Sequence, residues 1–224
     1  SSRSSRPSPP VTAAGARLEV HALEVERGTR TLVRGLAFSA GPGALVQLGG
    51  ANGSGKTSVM RTLAGLVPAA AGSVTWRGVN VAGNAAFQAE LAYVGHTSGL
   101  CGELDARENL AFQLALARAP QRCTPDEALA RLAARRFATR PVRQLSAGQR
   151  QRVALARLAL FDCPLWMLDE PFTALDAATR ELLAGLIDSH LDAAGTVLIA
   201  THQHFASRHP LTLVELGAAP PPCT

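Results

Sequence analysis

The run Gly50-Ala51-Asn52-Gly53-Ser54-Gly55-Lys56-Thr57 has the spacing GxxxxGK[ST], a pattern suited to holding a polyphosphate. Its glycines let consecutive backbone N–H groups point inward around phosphate oxygens, and a helix starting at the lysine adds partial positive charge. Lys56 then neutralises the β and γ phosphates of ATP. The Thr57 hydroxyl suits Mg²⁺, a cation that prefers oxygen ligands and keeps several waters, and Ser58 ends the nucleotide-holding run that starts at Gly50. Further along, the apolar run Leu165-Trp166-Met167-Leu168 ends in two carboxylates, Asp169 and Glu170. Adjacent carboxylates at the end of a buried strand are costly unless cations or reacting groups meet them. Asp169 is assigned to Mg²⁺, and Glu170 to the attacking water as general base. Between these segments lies Leu145-Ser146-Ala147-Gly148-Gln149, ahead of a helix beginning near Arg150. Ser146 and the N–H groups of Ala147 and Gly148 form a second anion-binding helix start, although Ser-x-Gly before a helix is also an ordinary N-cap.

These residues need an α/β frame. Partial alternation over Arg17–Val25 and the stretch Ala37–Ala40 before the turn Gly41-Pro42-Gly43 predict antiparallel edge strands. Ala44–Leu48 predicts a buried strand leading into the glycine-rich loop, and Lys56–Leu66 a helix ending before Pro68. Asp105 is an N-cap for a helix over Ala106–Ala117, and Pro125–Arg136 is a second helix with Asp126 and Glu127 in its first turn. After the helix that follows Ser146 come a strand at Leu165–Leu168, a helix over Ala177–Leu191 and a strand at Thr196–Ala200. From Pro210 onward the pattern is weak, and 210–224 is expected to be a weakly ordered tail. Residues 1–16, rich in Ser, Pro and Arg, read as a disordered leader or the remnant of a transit-type peptide.

The 224 residues are 47% hydrophobic, enough for one domain with a full core. The net charge of +5 comes largely from arginines scattered over helices, with no like-charge block and no interleaved aromatics, so direct nucleic-acid binding is not favoured. The cysteines Cys101, Cys123, Cys163 and Cys223 form no CxxC pair, so reduced thiols fit better than a zinc or redox site. No apolar run approaches the roughly 18 residues needed to span a bilayer.

Leu145-Ser146-Ala147-Gly148-Gln149 resembles the LSGGQ signature of ABC ATPases, and the resemblance extends from about Leu18 to His204. It implies a P-loop NTPase fold with an ABC-type antiparallel β subdomain and a helical signature subdomain at about 97–160, within an ATPase domain at 17–209. It also implies a head-to-tail dimer of two copies, in which Ser146, Gly148 and Gln149 of one face the nucleotide held by Lys56 of the other. Ala174-Leu175-Asp176 is similar to the D-loop at that interface, and His202 to the switch histidine that contacts the γ-phosphate; a plain surface histidine is the alternative. His96 stands where most members have the Q-loop glutamine and would reach the metal through water. Its charge can change near neutral pH, which a glutamine's cannot. Arg27 falls where an aromatic residue usually stacks on adenine; its planar guanidinium is suited to stacking, the alternative being a solvated loop arginine.

Within the family, Tyr93-Val94-Gly95-His96, Trp166 before the carboxylates, Thr201-His202-Gln203 near the chain end and the segment Gly99–Leu110 resemble the ATPases of cytochrome c maturation. That resemblance implies a transmembrane permease partner of the cytochrome c maturation system. It also implies a peripheral position on the cytoplasmic face of the bacterial inner membrane or the matrix side of the mitochondrial one. Haem is expected to be handled by partners, because the chain has no CxxCH. Two other readings stay open: the ATPase of another small-molecule exporter, and a soluble ABC ATPase acting on nucleic acid or ribosomes, favoured only by the pI near 9.7.

Overall fold

The computed structural model describes residues 17–216, so the expected leader at 1–16 and the chain beyond 216 lie outside the described residues. Strand β1 (Leu18–Arg27) pairs antiparallel with β2 (Arg30–Ala40) on one side and with β4 (Ala71–Trp76) on the other; β5 (Val79–Asn80) completes a four-stranded sheet in the order β2-β1-β4-β5. β1 is therefore interior, whereas the sequence reading placed it at an edge. Its partner β4 has no strand signature in the sequence, because Ala71, Gly72 and Ser73 carry no strand pattern. The register slips at Ala22, which adopts φ 44°, and Gly72 faces the carbonyl of Ala22 so closely that a Cβ has no room.

The second sheet is wholly parallel in the order β6 (Leu91–Val94), β7 (Leu165–Asp169), β8 (Thr196–Ala200), β3 (Leu45–Gly49) and β9 (Leu211–Glu215). β7 and β8 are buried on both faces, as expected of parallel strands covered on both sides. The weakly ordered tail expected from 210 is corrected over Leu211–Glu215, which pair with β3 at the sheet edge. Leu211 and Leu213 are exposed there, so the strand lacks the burial pattern that would have marked it in sequence.

Alternation along β7 divides the core. Leu165 and Met167 join Leu48, Met60, Phe38 and Trp76 between the two sheets, where helix α1 (Lys56–Leu63) also packs. Short helix α2 (Ala85–Ala89) adds Phe87 to this layer. Trp166 and Leu168 face the other way, towards α3 (Ala106–Leu116), α4 (Pro125–Arg131), α5 (Ala147–Leu160) and α6 (Ala177–Asp192), whose Leu110, Leu129, Leu158 and Ile187 fill the second core. Capping boxes at Asp105, Thr124 and Ser146 start α3, α4 and α5. The helix expected over Pro125–Arg136 breaks after Arg131, and Arg135–Phe137 form a 3-10 turn, with Ala133 left-handed at φ 51°.

One buried titratable group sets a pH limit on this core. The ring of His190 stacks on Trp166 with centroids 3.9 Å apart, and burial pushes its pKa down to about 4, assisted by the charge of Arg122. An unfolded histidine titrates near 6.5, so between about 6.5 and 4 the unfolded chain holds the proton that the folded chain refuses. The contribution is complete above this window and is lost as pH falls through it, at about 1.4 kcal/mol per pH unit. His190→Phe should therefore lose about 2 kcal/mol less than the wild type between about pH 7 and pH 5, read from urea midpoints at both values.

Candidate active site

β3 delivers the chain into the loop Gly50–Gly55 at the end of the parallel sheet, and α1 leaves it at Lys56. Gly50, Gly53 and Gly55 have φ of 135°, 82° and 96°, values that side chains disfavour. A Cβ at Gly50 would lie 2.7 Å from the Ser54 hydroxyl, and one at Gly55 would lie 3.0 Å from Leu32 of β2. Glycine is thus required both by conformation and by close approach. Lys56 is 8% exposed, and its ammonium donates to the carbonyls of Gly50 at 2.7 Å and Ala51 at 3.0 Å, holding the charge over the loop. Ala51, Asn52 and Gly53 form the exposed rim. The Ser54 Oγ is buried without a protein partner, a polar atom left for a ligand or water. Ser58 lies in the first turn, where its carbonyl accepts from Thr62.

Next to this loop, the Thr57 hydroxyl bonds to Asp169 at the end of β7. Burial raises the pKa of Asp169, the charge of Glu170 raises it further, and Thr57, His96 and Lys56 pull it back. Its Oδ2 is buried and unpartnered. A hydroxyl, one carboxylate with a free oxygen and an adjacent phosphate cradle fit Mg²⁺, which is usually held by few carboxylates together with substrate phosphates. Among the described residues no group of three or more His, Cys, Asp or Glu forms a metal cluster, so an all-protein metal cage is absent there.

Glu170 leaves the strand with φ 51°, its N–H donating to the carbonyl of Ala200 at 2.7 Å. Its carboxylate is gripped by the two residues that follow β8: Thr201 Oγ1 donates to Oε2 at 3.3 Å, and His202 Nδ1 meets Oε1 at 3.0 Å. Thr201 is held in turn, its carbonyl accepting from Gln47 Nε2 at 3.0 Å. The carboxylate is largely shielded while His202 is 59% exposed, an arrangement that orients a base and leaves the imidazole reachable from outside. The carboxylate, Mg²⁺-type donors and phosphate loop expected from sequence are brought together in one chain.

Three residues have parts at this site that the sequence does not assign them. Thr201, just past β8, orients Glu170, and Gln47 of β3 holds Thr201; only the pairing of β3 with β8 reveals them. Tyr93, whose phenol is pushed up to about 12 by burial and by Asp169, stays protonated beside the carboxylate. Its position three residues before His96 was the only available signal.

Other expected residues are placed differently. Ser146 and Gln149 bond each other in the capping box of α5, Gln149 N to Ser146 Oγ at 3.2 Å and Ser146 N to Gln149 Oε1 at 3.0 Å. Gln149 was expected at a nucleotide, but its side-chain oxygen is engaged by this cap. Asp176 was expected there too; it caps α6 through Thr179, and its Oδ2 accepts from Arg152 at 2.6 Å. Gly148 packs against the D-loop-like segment, where a Cβ would lie 2.5 Å from the carbonyl of Ala174. No hydrogen bond or ion pair among the described residues links Ser146 to the loop at 50–57 of the same chain. His96 is exposed and acts on Asp169 only through its charge. Arg27 is exposed at the tip of the β1–β2 hairpin, beside Gly28 with φ 63°.

A profile of the ABC transporter family matches residues 33–173, from β2 to the segment just after Glu170. The chain belongs to the ABC transporter family. It is 46% identical over 192 residues to the cytochrome c biogenesis ATP-binding export protein CcmA 2 of Cupriavidus metallidurans, an alignment covering 85% of this chain and 91% of that one. To CcmA of Methylococcus capsulatus it is 47% identical, over 80% of this chain and 88% of the relative. Among solved structures, a dimeric bacterial ABC transporter cassette, MJ0796, superposes with a TM-score of 0.76 at 23% identity over 88% of this chain and 94% of that one. That likeness concerns the fold. The loop at 50–57, the carboxylates of β7 and the helix start at Ser146 lie in the elements expected for them.

Proposed function

We propose that the chain is the ATP-hydrolysing subunit of an ABC exporter of cytochrome c biogenesis, working as two copies arranged head to tail on a transmembrane permease at the cytoplasmic face of a membrane. The observation that carries the assignment is the 46–47% identity to two CcmA proteins over most of both chains. The geometry supports the chemistry. Lys56 and the loop amides hold the phosphates, and Glu170, oriented by Thr201 and His202, receives a proton from water in line with the γ-phosphate. Thr57 and Asp169 would hold Mg²⁺, which when bound offsets phosphate charge. Because Ser146 has no link to the phosphate loop of its own chain, its helix start serves the nucleotide of the second copy, adding positive potential where charge develops. His202, bonded to Glu170, contacts the γ-phosphate held by Lys56 of its own chain, and Arg27 lies at the adenine end. Haem enters this reading only through partner proteins.

Among the described residues no helix is long and apolar enough to cross a membrane; in this reading the permease supplies the attachment. Purifying a tagged chain from detergent-solubilised membranes at high salt and identifying what accompanies it tests the assignment. A permease together with cytochrome c maturation proteins is the expected result. A permease of another exporter overturns the cytochrome assignment, and nucleic acid released by salt in its place overturns the exporter reading altogether.

A further inference from the structure

The first turns of α5 grip the segment that follows Glu170 at three points. Gly148 fits under the carbonyl of Ala174 with no room for a Cβ, Gln151 Nε2 donates to the carbonyl of Pro171 at 3.2 Å, and Arg152 Nη2 donates to Asp176 at 2.6 Å. Arg152 is the buried member of its pair: its side chain is 10% exposed against 60% for Asp176, and its other nitrogen points towards the carbonyl of Ala133 after α4. A buried arginine facing one carboxylate is a fixed connection, because removing that acid leaves an uncompensated charge. The segment so held begins one residue after the general base and contains a second left-handed residue, Ala174 with φ 61°. Glu170 itself has φ 51°, a sparsely populated backbone angle that persists only where the surroundings hold it, and the grip on the following segment is one of those holds.

We infer that Arg152, with Gln151, is a positioning residue for Glu170: it ties the helix whose Ser146 start serves the second copy's nucleotide to the base that serves the chain's own. This rests on the shared-site reading above. Asp169 and Thr57 are in contact, so Glu170 acts on the nucleotide of its own Lys56 loop. One helix therefore touches both sites of the pair, its start at one and its Gln151 and Arg152 at the other. Closure around one nucleotide presses on α5, and Arg152 passes that displacement to the base at the other.

The test uses the full chain in a mixture that has one competent site per mixed pair: Ser146→Arg on one copy, which keeps Lys56 and Glu170, and Lys56→Ala on the other, which keeps Ser146. Arg152→Ala on the copy bringing Glu170 should lower turnover about tenfold or more, within the range that misplacement remote from the chemistry produces. Nucleotide affinity should be unchanged. The same substitution on the copy bringing Ser146 should lower turnover much less. Equal loss from both placements, or greater loss from the Ser146 copy, overturns the inference. In the uniform protein, Asp176→Asn keeps a competent helix cap while removing the charge. It should lower turnover as Arg152→Ala does, and the double variant should be no slower than either single one; multiplied losses overturn the pairing. Arg152→Lys, which keeps the charge but not the fork, replaces Arg152→Ala if the latter fails to fold, and wild-type turnover in it counts against the role. If the mixture restores no activity, the shared-site reading fails, and the double variant still decides whether Arg152 acts through Asp176.

Discussion

Glu170→Gln is expected to bind ATP as the wild type does and to hydrolyse it at least about a hundredfold more slowly, the usual range for a lost general base being roughly 10²–10⁴. The substitution is nearly isosteric, and the amide oxygen can still accept from Thr201, so the loop at 50–57 and the end of β7 stay in place. What disappears is an acceptor basic enough to take a proton from water. Single-turnover hydrolysis and equilibrium nucleotide binding, measured on the same preparation, separate the two effects. Near-normal turnover would remove Glu170 from the chemistry and leave His202 as the neighbouring candidate.

Lys56→Ala should have an effect at least as large, because its ammonium is held over the loop and, in the proposed function, is the fixed positive charge that meets the β and γ phosphates. We expect phosphate affinity and turnover both to fall about a hundredfold or more. Ser146→Arg, which fills the second helix start with a bulky cation, should abolish turnover while leaving nucleotide binding to the chain's own loop intact. Mixed in equal amounts, the two inactive chains should recover roughly a quarter of wild-type activity: half the pairs are mixed, and each mixed pair has one of its two sites complete. Rates in the mixture equal to the sum of the separate chains would show that each site is complete within one chain.

The parts of the site that could be read in sequence are those determined by a short window. Gly50–Thr57, the carboxylates ending an apolar run and the Ser146 cap each follow from local backbone and charge requirements, and the structure places each at the end of the strand or the start of the helix that was expected. The residues missed are those whose role exists only across strands or between helices. Gln47 reads as a polar interruption of β3 until β8 is laid beside it. Arg152 reads as one more arginine of a basic helix until Asp176, ordinary as a cap, turns out to be its partner. The same reasoning explains the errors in fold. β9 presents Leu211 and Leu213 outward, and β4 opens with Ala71-Gly72-Ser73, so neither shows the burial pattern from which strands are read. The sequence extends the helix five residues past Arg131 because Ala133 and Ala134 favour helix, whereas the left-handed Ala133 caps its end, with the Ala134 N–H donating to the carbonyl of Leu129 at 2.8 Å.

The division of the core also gives the protein a pair of built-in optical reporters. Its two tryptophans sit in different layers: Trp76 between the sheets, donating to Glu90 at 2.7 Å, and Trp166 against the helices, stacked on His190. Emission from Trp166 therefore reports on the surroundings of the helical side and that from Trp76 on the sheet side. With either tryptophan replaced by Phe, fluorescence alone would show whether the helical layer moves independently of the nucleotide-holding sheets as ATP is added.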